Sequence, residues 1–134
     1  ECGSRLDDQE CLTRLIYADE EYEVAKDYRP FTETMVGVLT IGREVAFISI
    51  PGELFVEFGL EIKEAARQIG YHHTIISTYS DDYIGYIPTE KSFKLGTYES
   101  KLSRWSRVTS EAGEIIDKEV KDCLQSAMRS NLRQ

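Results

Sequence analysis

The sequence lacks most of the short motifs that announce a chemistry. It has no glycine-rich phosphate loop, no G-x-S-x-G elbow, no C-x-x-C pair and no H-E-x-x-H helix. Its acidic residues, Asp7, Asp8, Asp81 and Asp82 among them, do not fall in the D-x-D-x-D-G spacing of a calcium loop. Positive charge is in deficit: 16 Lys and Arg stand against 24 Asp and Glu, a formal charge of −8. No basic stripe is left to displace counterions from phosphates, which argues against a nucleic-acid-binding domain. No apolar run approaches the roughly 18 residues of a membrane span. The two histidines, His72 and His73, are adjacent; neighbours on a strand point to opposite faces, so they cannot both face one metal. The three cysteines, Cys2, Cys11 and Cys123, are far apart and in no metal-like spacing. Their odd number allows at most one internal disulfide. Cys2–Cys11 and Cys11–Cys123 both stay open, beside the reading of indifferent thiols with Cys123 partly buried on a helix.

What is present suits one folded unit. A chain of 134 residues has room for one compact domain, and an apolar fraction of 41% is enough for its core. The chain begins Glu1-Cys2-Gly3 with no initiator Met and no targeting pattern. It reads as a processed product or as a piece of a longer polypeptide, so the lack of a signal says nothing about compartment.

Periodicity supplies the elements. Asp7 and Asp8 can start a helix over about 8–28, with Leu12, Leu15, Ile16 and Tyr22 as its apolar positions and Pro30 as its stop. Residues 34–41 and 45–50 are β-branched or apolar runs around a short Gly42-Arg43-Glu44 turn. They predict an antiparallel hairpin whose second strand is buried on both faces. After Pro51-Gly52 a helix is expected over 53–69, with Phe55, Phe58, Ile62, Ala65, Ala66 and Ile69 on one face and Gly70 as its cap. A third strand follows over 73–79, and strand–helix–strand closes most easily with parallel strands. Residues 80–105 carry no sustained period and read as one long functional loop region. Ser110 then caps a last helix running to about 129. The expected fold is α/β, with α+β as the alternative: a mixed sheet with a β-hairpin and a β-α-β unit, flanked by helices, in a partial domain.

Two segments could carry chemistry. Glu53 stands where a buried strand gives way to a helix, at the edge where α/β sheets place their ligand crevices. The helix start favours its ionised form, which a metal ligand or general base requires; it also suits an ordinary first-turn glutamate. Tyr86, between Gly85 and Ile87-Pro88, is fixed in an extended or turn geometry. A fixed phenol can donate to an oxyanion, or ligate a cation that depresses its pKa; it can equally pack its ring in a tyrosine-rich loop.

Taken in order, Ile50-Pro51-Gly52-Glu53, then Asp82-Tyr83-Ile84-Gly85-Tyr86-Ile87-Pro88-Thr89, then Gly96-Thr97-Tyr98-Glu99 resemble the C-terminal part of the catalytic domain of neutral/alkaline, non-lysosomal ceramidases. The resemblance spans about residues 34–125 and includes the family's spacing between Tyr86 and Tyr98; Asp81 stands where relatives usually carry Asn. It implies a zinc held by Glu53 and Tyr86 with two histidines from an upstream N-terminal segment, and Tyr98 as a catalytic residue near the scissile amide. The implied reaction is zinc-dependent hydrolysis of an N-acyl amide of a ceramide-like lipid, which releases a fatty acid. The implied partners are the upstream segment and the lipid substrate, with a homo-oligomer as a further arrangement, and the implied setting is secreted or extracytoplasmic. The isolated chain is expected to be inactive. The alternative is a non-catalytic binding or assembly domain that kept the scaffold and lost the metal.

Overall fold

The computed structural model describes residues 9–132. The element order is α1 (Gln9–Lys26), β1 (Gly37–Ile41), β2 (Val45–Ser49), β3 (Glu53–Leu54), α2 (Val56–Ile69), β4 (His73–Ser77), β5 (Tyr86–Ile87), α3 (Glu90–Leu95), a 3-10 turn at Tyr98–Ser100, and α4 (Ala112–Asn131). The main sheet has the order β1-β2-β4. β1 and β2 are antiparallel, with Leu39 opposite Phe47, and β2 and β4 are parallel, with Phe47 beside Ile75. The fold is therefore α/β in character with a mixed sheet, as the alternation of periods predicts.

One face of this sheet makes the core. Ala46, Ile48 and Ile50 from the β2 segment are buried against Ile62 and Ala66 of α2 and Ile116, Val120 and Leu124 of α4. Tyr71 is buried as well and satisfies its hydroxyl by donating to the Leu124 carbonyl at 3.2 Å. Gly113 lets α4 close on Phe58, whose ring occupies the space a Cβ would need. α2 ends as expected on Gly70, at φ 113° in the left-handed region.

Four expectations are corrected. β2 is not buried on both faces: Phe47 is exposed with Leu39 and Ile75, because the helices cover only the other side. Glu53 does not open α2; it lies in the two-residue strand β3, and Phe55 stands at the N-cap. Ser110 does not cap α4, whose N-cap position is Glu111 with no side-chain cap bond. The apolar positions of α1 do not face a core, since Leu15, Ile16 and Tyr22 are all exposed. Asp7, Asp8 and Cys2 lie outside the described residues. Cys11 is disulfide-bonded and Cys123 is a free thiol, which excludes the Cys11–Cys123 bridge.

What anchors α1 is electrostatic. Glu20 is its one buried residue, and it accepts from the Arg104 backbone N–H at 3.0 Å and from the Arg104 guanidinium. Those hydrogen bonds pull the Glu20 carboxyl down to about 2. A carboxyl depressed on folding stabilises the native state above its ordinary pKa, and that contribution is lost as pH falls toward the folded value. Thermal melts should therefore fall between about pH 4.5 and pH 2 more steeply for the native chain than for Glu20→Gln, in which no carboxylate is left to protonate. Parallel curves for the two would remove Glu20 as the source.

Candidate functional site

The site begins with a backbone junction. After Ile50 the chain leaves the main sheet, and β3 pairs in parallel with β5, setting Glu53 beside Tyr86 and Leu54 beside Ile87. The Glu53 N–H donates to the Gly85 carbonyl at 2.9 Å, and the Tyr86 N–H donates to the Trp105 carbonyl at 3.0 Å. Neighbours in a parallel register project from the same face of their sheet. The carboxylate and the phenol expected to converge thus do so, as adjacent members of a two-stranded sheet.

Around Glu53 the chain gathers further tyrosines. Tyr83 Oη donates to Glu53 Oε1 at 2.9 Å. The rings of Tyr79 and Tyr83 stack with centroids 5.5 Å apart and planes 6° from parallel. The hydrogen bond to Glu53, reinforced by burial and by the Glu53 charge, pushes the Tyr79 hydroxyl up to about 12. Burial first, then the hydrogen bond to Glu53, does the same to Tyr83, also to about 12. Tyr86 is raised too, by burial and then by the Glu53 charge. With only protein groups nearby these phenols stay protonated at neutral pH and act as donors.

The segment carrying them is held in an uncommon backbone. Tyr79 and Asp81 both have positive φ, 55° and 68°, a left-handed conformation that costs free energy away from glycine. Asp82 ties the turn down: one carboxylate oxygen accepts from its neighbour's Tyr83 N–H at 2.7 Å and the other from Thr34 Oγ1 at 3.0 Å.

Tyr98 completes the group. Its ring meets that of Tyr86 edge-on, with centroids 5.8 Å apart at 79°, and stacks on Trp105 at 6.4 Å. Tyr98 is half exposed, at 50%, so its ring is open to a ligand on one side. Two buried polar atoms in this wall, Thr97 Oγ1 and Trp105 Nε1, have no hydrogen-bond partner. α1 borders the same wall, since the Lys101 ammonium lies 4.8 Å from the Tyr17 ring centroid and Glu20 binds Arg104.

Glu53, Tyr86 and Tyr98 are therefore brought together, and His72 and His73 are not part of the group. His72 faces Glu44 at 3.2 Å on the surface, and His73 opens β4 beside Val45, at the opposite end of the strands from Glu53. Tyr79, Tyr83 and Trp105 belong to the site without having been singled out from the sequence. The recurrence of tyrosine at 79, 83 and 86 was the available signal.

The donor set fits a cation in part. Among the described residues Glu53 forms no ion pair, so its charge is balanced only by phenol hydrogen bonds. Carboxylate and phenol oxygens are acceptable zinc donors. No group of three or more His, Cys, Asp or Glu able to hold a metal exists among the described residues, so Glu53 and Tyr86 together make an incomplete site. Compared with protein-family models, curated proteins and solved structures, the chain matches none.

Proposed function

We propose that this chain supplies Glu53 and Tyr86 to the zinc of an amidohydrolase resembling the neutral ceramidases, which hydrolyses an N-acyl amide such as a ceramide-like lipid. One observation carries the reading: the pairing of Glu53 with Tyr86 across β3 and β5, with Tyr98 edge-on to Tyr86. Catalytic zinc takes three protein donors and an open position. The reading therefore requires further donors, and the resemblance points to histidines on a preceding segment of the same polypeptide. When bound, zinc would polarise the scissile carbonyl and acidify a water.

The chain's own residues have separable tasks in this reading. Tyr83 holds one oxygen of the Glu53 carboxylate. Tyr98 offers a phenol hydroxyl that can donate to a substrate oxygen as it gains charge. The stacked Tyr98 and Trp105 rings form an apolar wall for the substrate.

The test is zinc binding by the polypeptide that joins this chain to the remaining donors. Glu53→Gln and Tyr86→Phe are each expected to weaken zinc affinity by at least about tenfold, on the scale seen when groups that merely orient metal ligands are removed. Unchanged zinc content in both variants removes the ligand assignment. It leaves the alternative of a binding or assembly domain on the same scaffold.

A further inference from the structure

The contacts of α1 converge on one turn. Leu15, Ile16 and Tyr22 are exposed, and Glu20 is the one buried residue of the helix. Glu20 accepts from the Arg104 backbone N–H at 3.0 Å and from Arg104 Nε at 2.9 Å. Arg104 and Trp105 form the tip of a turn that Ser103 and Ser106 close with reciprocal backbone hydrogen bonds of 3.0 and 3.1 Å. That turn reaches the candidate site twice. The Trp105 carbonyl accepts from the Tyr86 N–H at 3.0 Å, and Ser106 Oγ donates to the Glu99 carbonyl, within the 3-10 turn that carries Tyr98. The Trp105 ring stacks on Tyr98. One helical turn before Glu20, Tyr17 lies under the Lys101 ammonium, and burial first, then the nearness of Tyr98 and Glu99, raises its hydroxyl.

We infer that Glu20 is a positioning residue for the Tyr98–Trp105 wall, which makes α1 a working part of the candidate site. A carboxylate that accepts from the backbone N–H and the guanidinium of one residue fixes both the path of the chain and the direction of the side chain there. With Arg104 held this way from α1, its neighbour Trp105 keeps its ring on Tyr98. The Arg104 side chain is half exposed, so without Glu20 it hydrates, and no other side chain of α1 bonds the tip of the turn.

The consequence for catalysis rests on the amidohydrolase reading, in which this wall lies against the apolar part of the substrate. Such a wall contacts the ground state and the transition state alike. An interaction of that kind sets KM and leaves kcat. The position of Trp105 itself does not depend on that reading, and it can be followed in the chain without metal or substrate.

Trp105 is the sole tryptophan, so its fluorescence reports on the wall directly. In the 134-residue chain, Glu20→Ala should raise acrylamide quenching of Trp105 by at least about twofold, through local loosening. Alanine favours helix, so the change does not come from weakening α1 itself. Glu20→Gln should fall between the two, since its amide oxygen still accepts from the Arg104 N–H. Lys26→Ala, which breaks an exposed ion pair with Glu23 on the same helix, should leave the quenching unchanged. Should Glu20→Ala fail to fold, Arg104→Ala carries the same test through the guanidinium contact alone. In the polypeptide that carries the remaining zinc donors, Glu20→Ala should raise KM for an N-acyl amide by about threefold or more, with kcat within about twofold of native. Native quenching in the variant tested overturns the inference, as does an equal rise in Lys26→Ala or an unchanged KM. Raised quenching in Glu20→Ala, where the native polypeptide hydrolyses no N-acyl amide, supports the positioning role and removes the zinc reading instead.

Discussion

On the proposed zinc reading, Glu53→Gln is expected to lower kcat/KM for an N-acyl amide by at least about 10²-fold while leaving the melting temperature of the metal-free polypeptide within a few degrees of native, the two readouts separating chemistry from folding. The substitution keeps size and shape and removes only the negative charge. Its amide oxygen still accepts from Tyr83 Oη, and its backbone N–H still donates to the Gly85 carbonyl. No ion pair is lost with the charge, because Glu53 forms none among the described residues, and the cost to the fold is confined to weaker phenol hydrogen bonds. A ligand role is the opposite case, since a neutral amide is a far poorer donor to a divalent cation than a carboxylate. Tyr86→Phe should act in the same direction and lose less, because it deletes a donor without removing a fixed charge. Steady-state hydrolysis of an N-acyl amide with thermal melts on the same samples checks both. Glu53→Gln turnover equal to the native value would end the assignment.

Legibility in the sequence follows the length of the elements. The hairpin, α2, β4 and α4 each sustain a period of 2 or 3.6 over several residues, and all four are found where the pattern puts them, with ends shifted by up to three residues. The strands β3 and β5 are two residues each and show no period at all. Without them Glu53 looks like a helix-start residue; with them it is a strand residue aligned with Tyr86. The helix α3 escaped for the same reason, being six residues set by a local cap, Thr89 accepting from the Ser92 N–H. The spacing of Leu12, Leu15, Ile16 and Tyr22 predicts α1 as a helix, yet its buried contact is Glu20 with Arg104, far along the chain. No local pattern reports a contact between residues so distant.

The site was legible as a meeting of segments and not as a geometry. A carboxylate after one strand and a phenol after the next emerge on the same edge once those strands are parallel, which places Glu53 near Tyr86 in outline. The holding contacts were hidden because they depend on backbone conformations that sequence does not display. Tyr79 reaches Glu53 from a left-handed φ of 55°. Tyr83 reaches it from a turn in which Asp82 accepts from Thr34.

The residue on which this arrangement turns is Gly85, and Gly85→Ala should destabilise the protein by about 3 kcal/mol, or roughly 10 °C in Tm. Two costs combine. Gly85 has φ 88°, where an L side chain is strained. A Cβ there would also run into the Trp105 carbonyl, with the Ser106 nitrogen 3.3 Å away. That carbonyl cannot retreat freely, because it accepts from the Tyr86 N–H at 3.0 Å. Nor can Gly85 move outward, because its own carbonyl accepts from the Glu53 N–H at 2.9 Å. The backbone of one glycine thus joins the carboxylate strand, the phenol strand and the Trp105 segment. Gly42→Ala separates the two costs, since Gly42 has φ 52° but nothing within 4 Å of its would-be Cβ; there the loss should stay near 1 kcal/mol. In Gly85→Ala the Trp105 fluorescence should shift as well, because relief of the clash moves the segment that stacks on Tyr98. A Gly85→Ala protein melting within about 2 °C of the native chain would mean that β3, β5 and the Trp105 segment are not joined as tightly as these hydrogen bonds require.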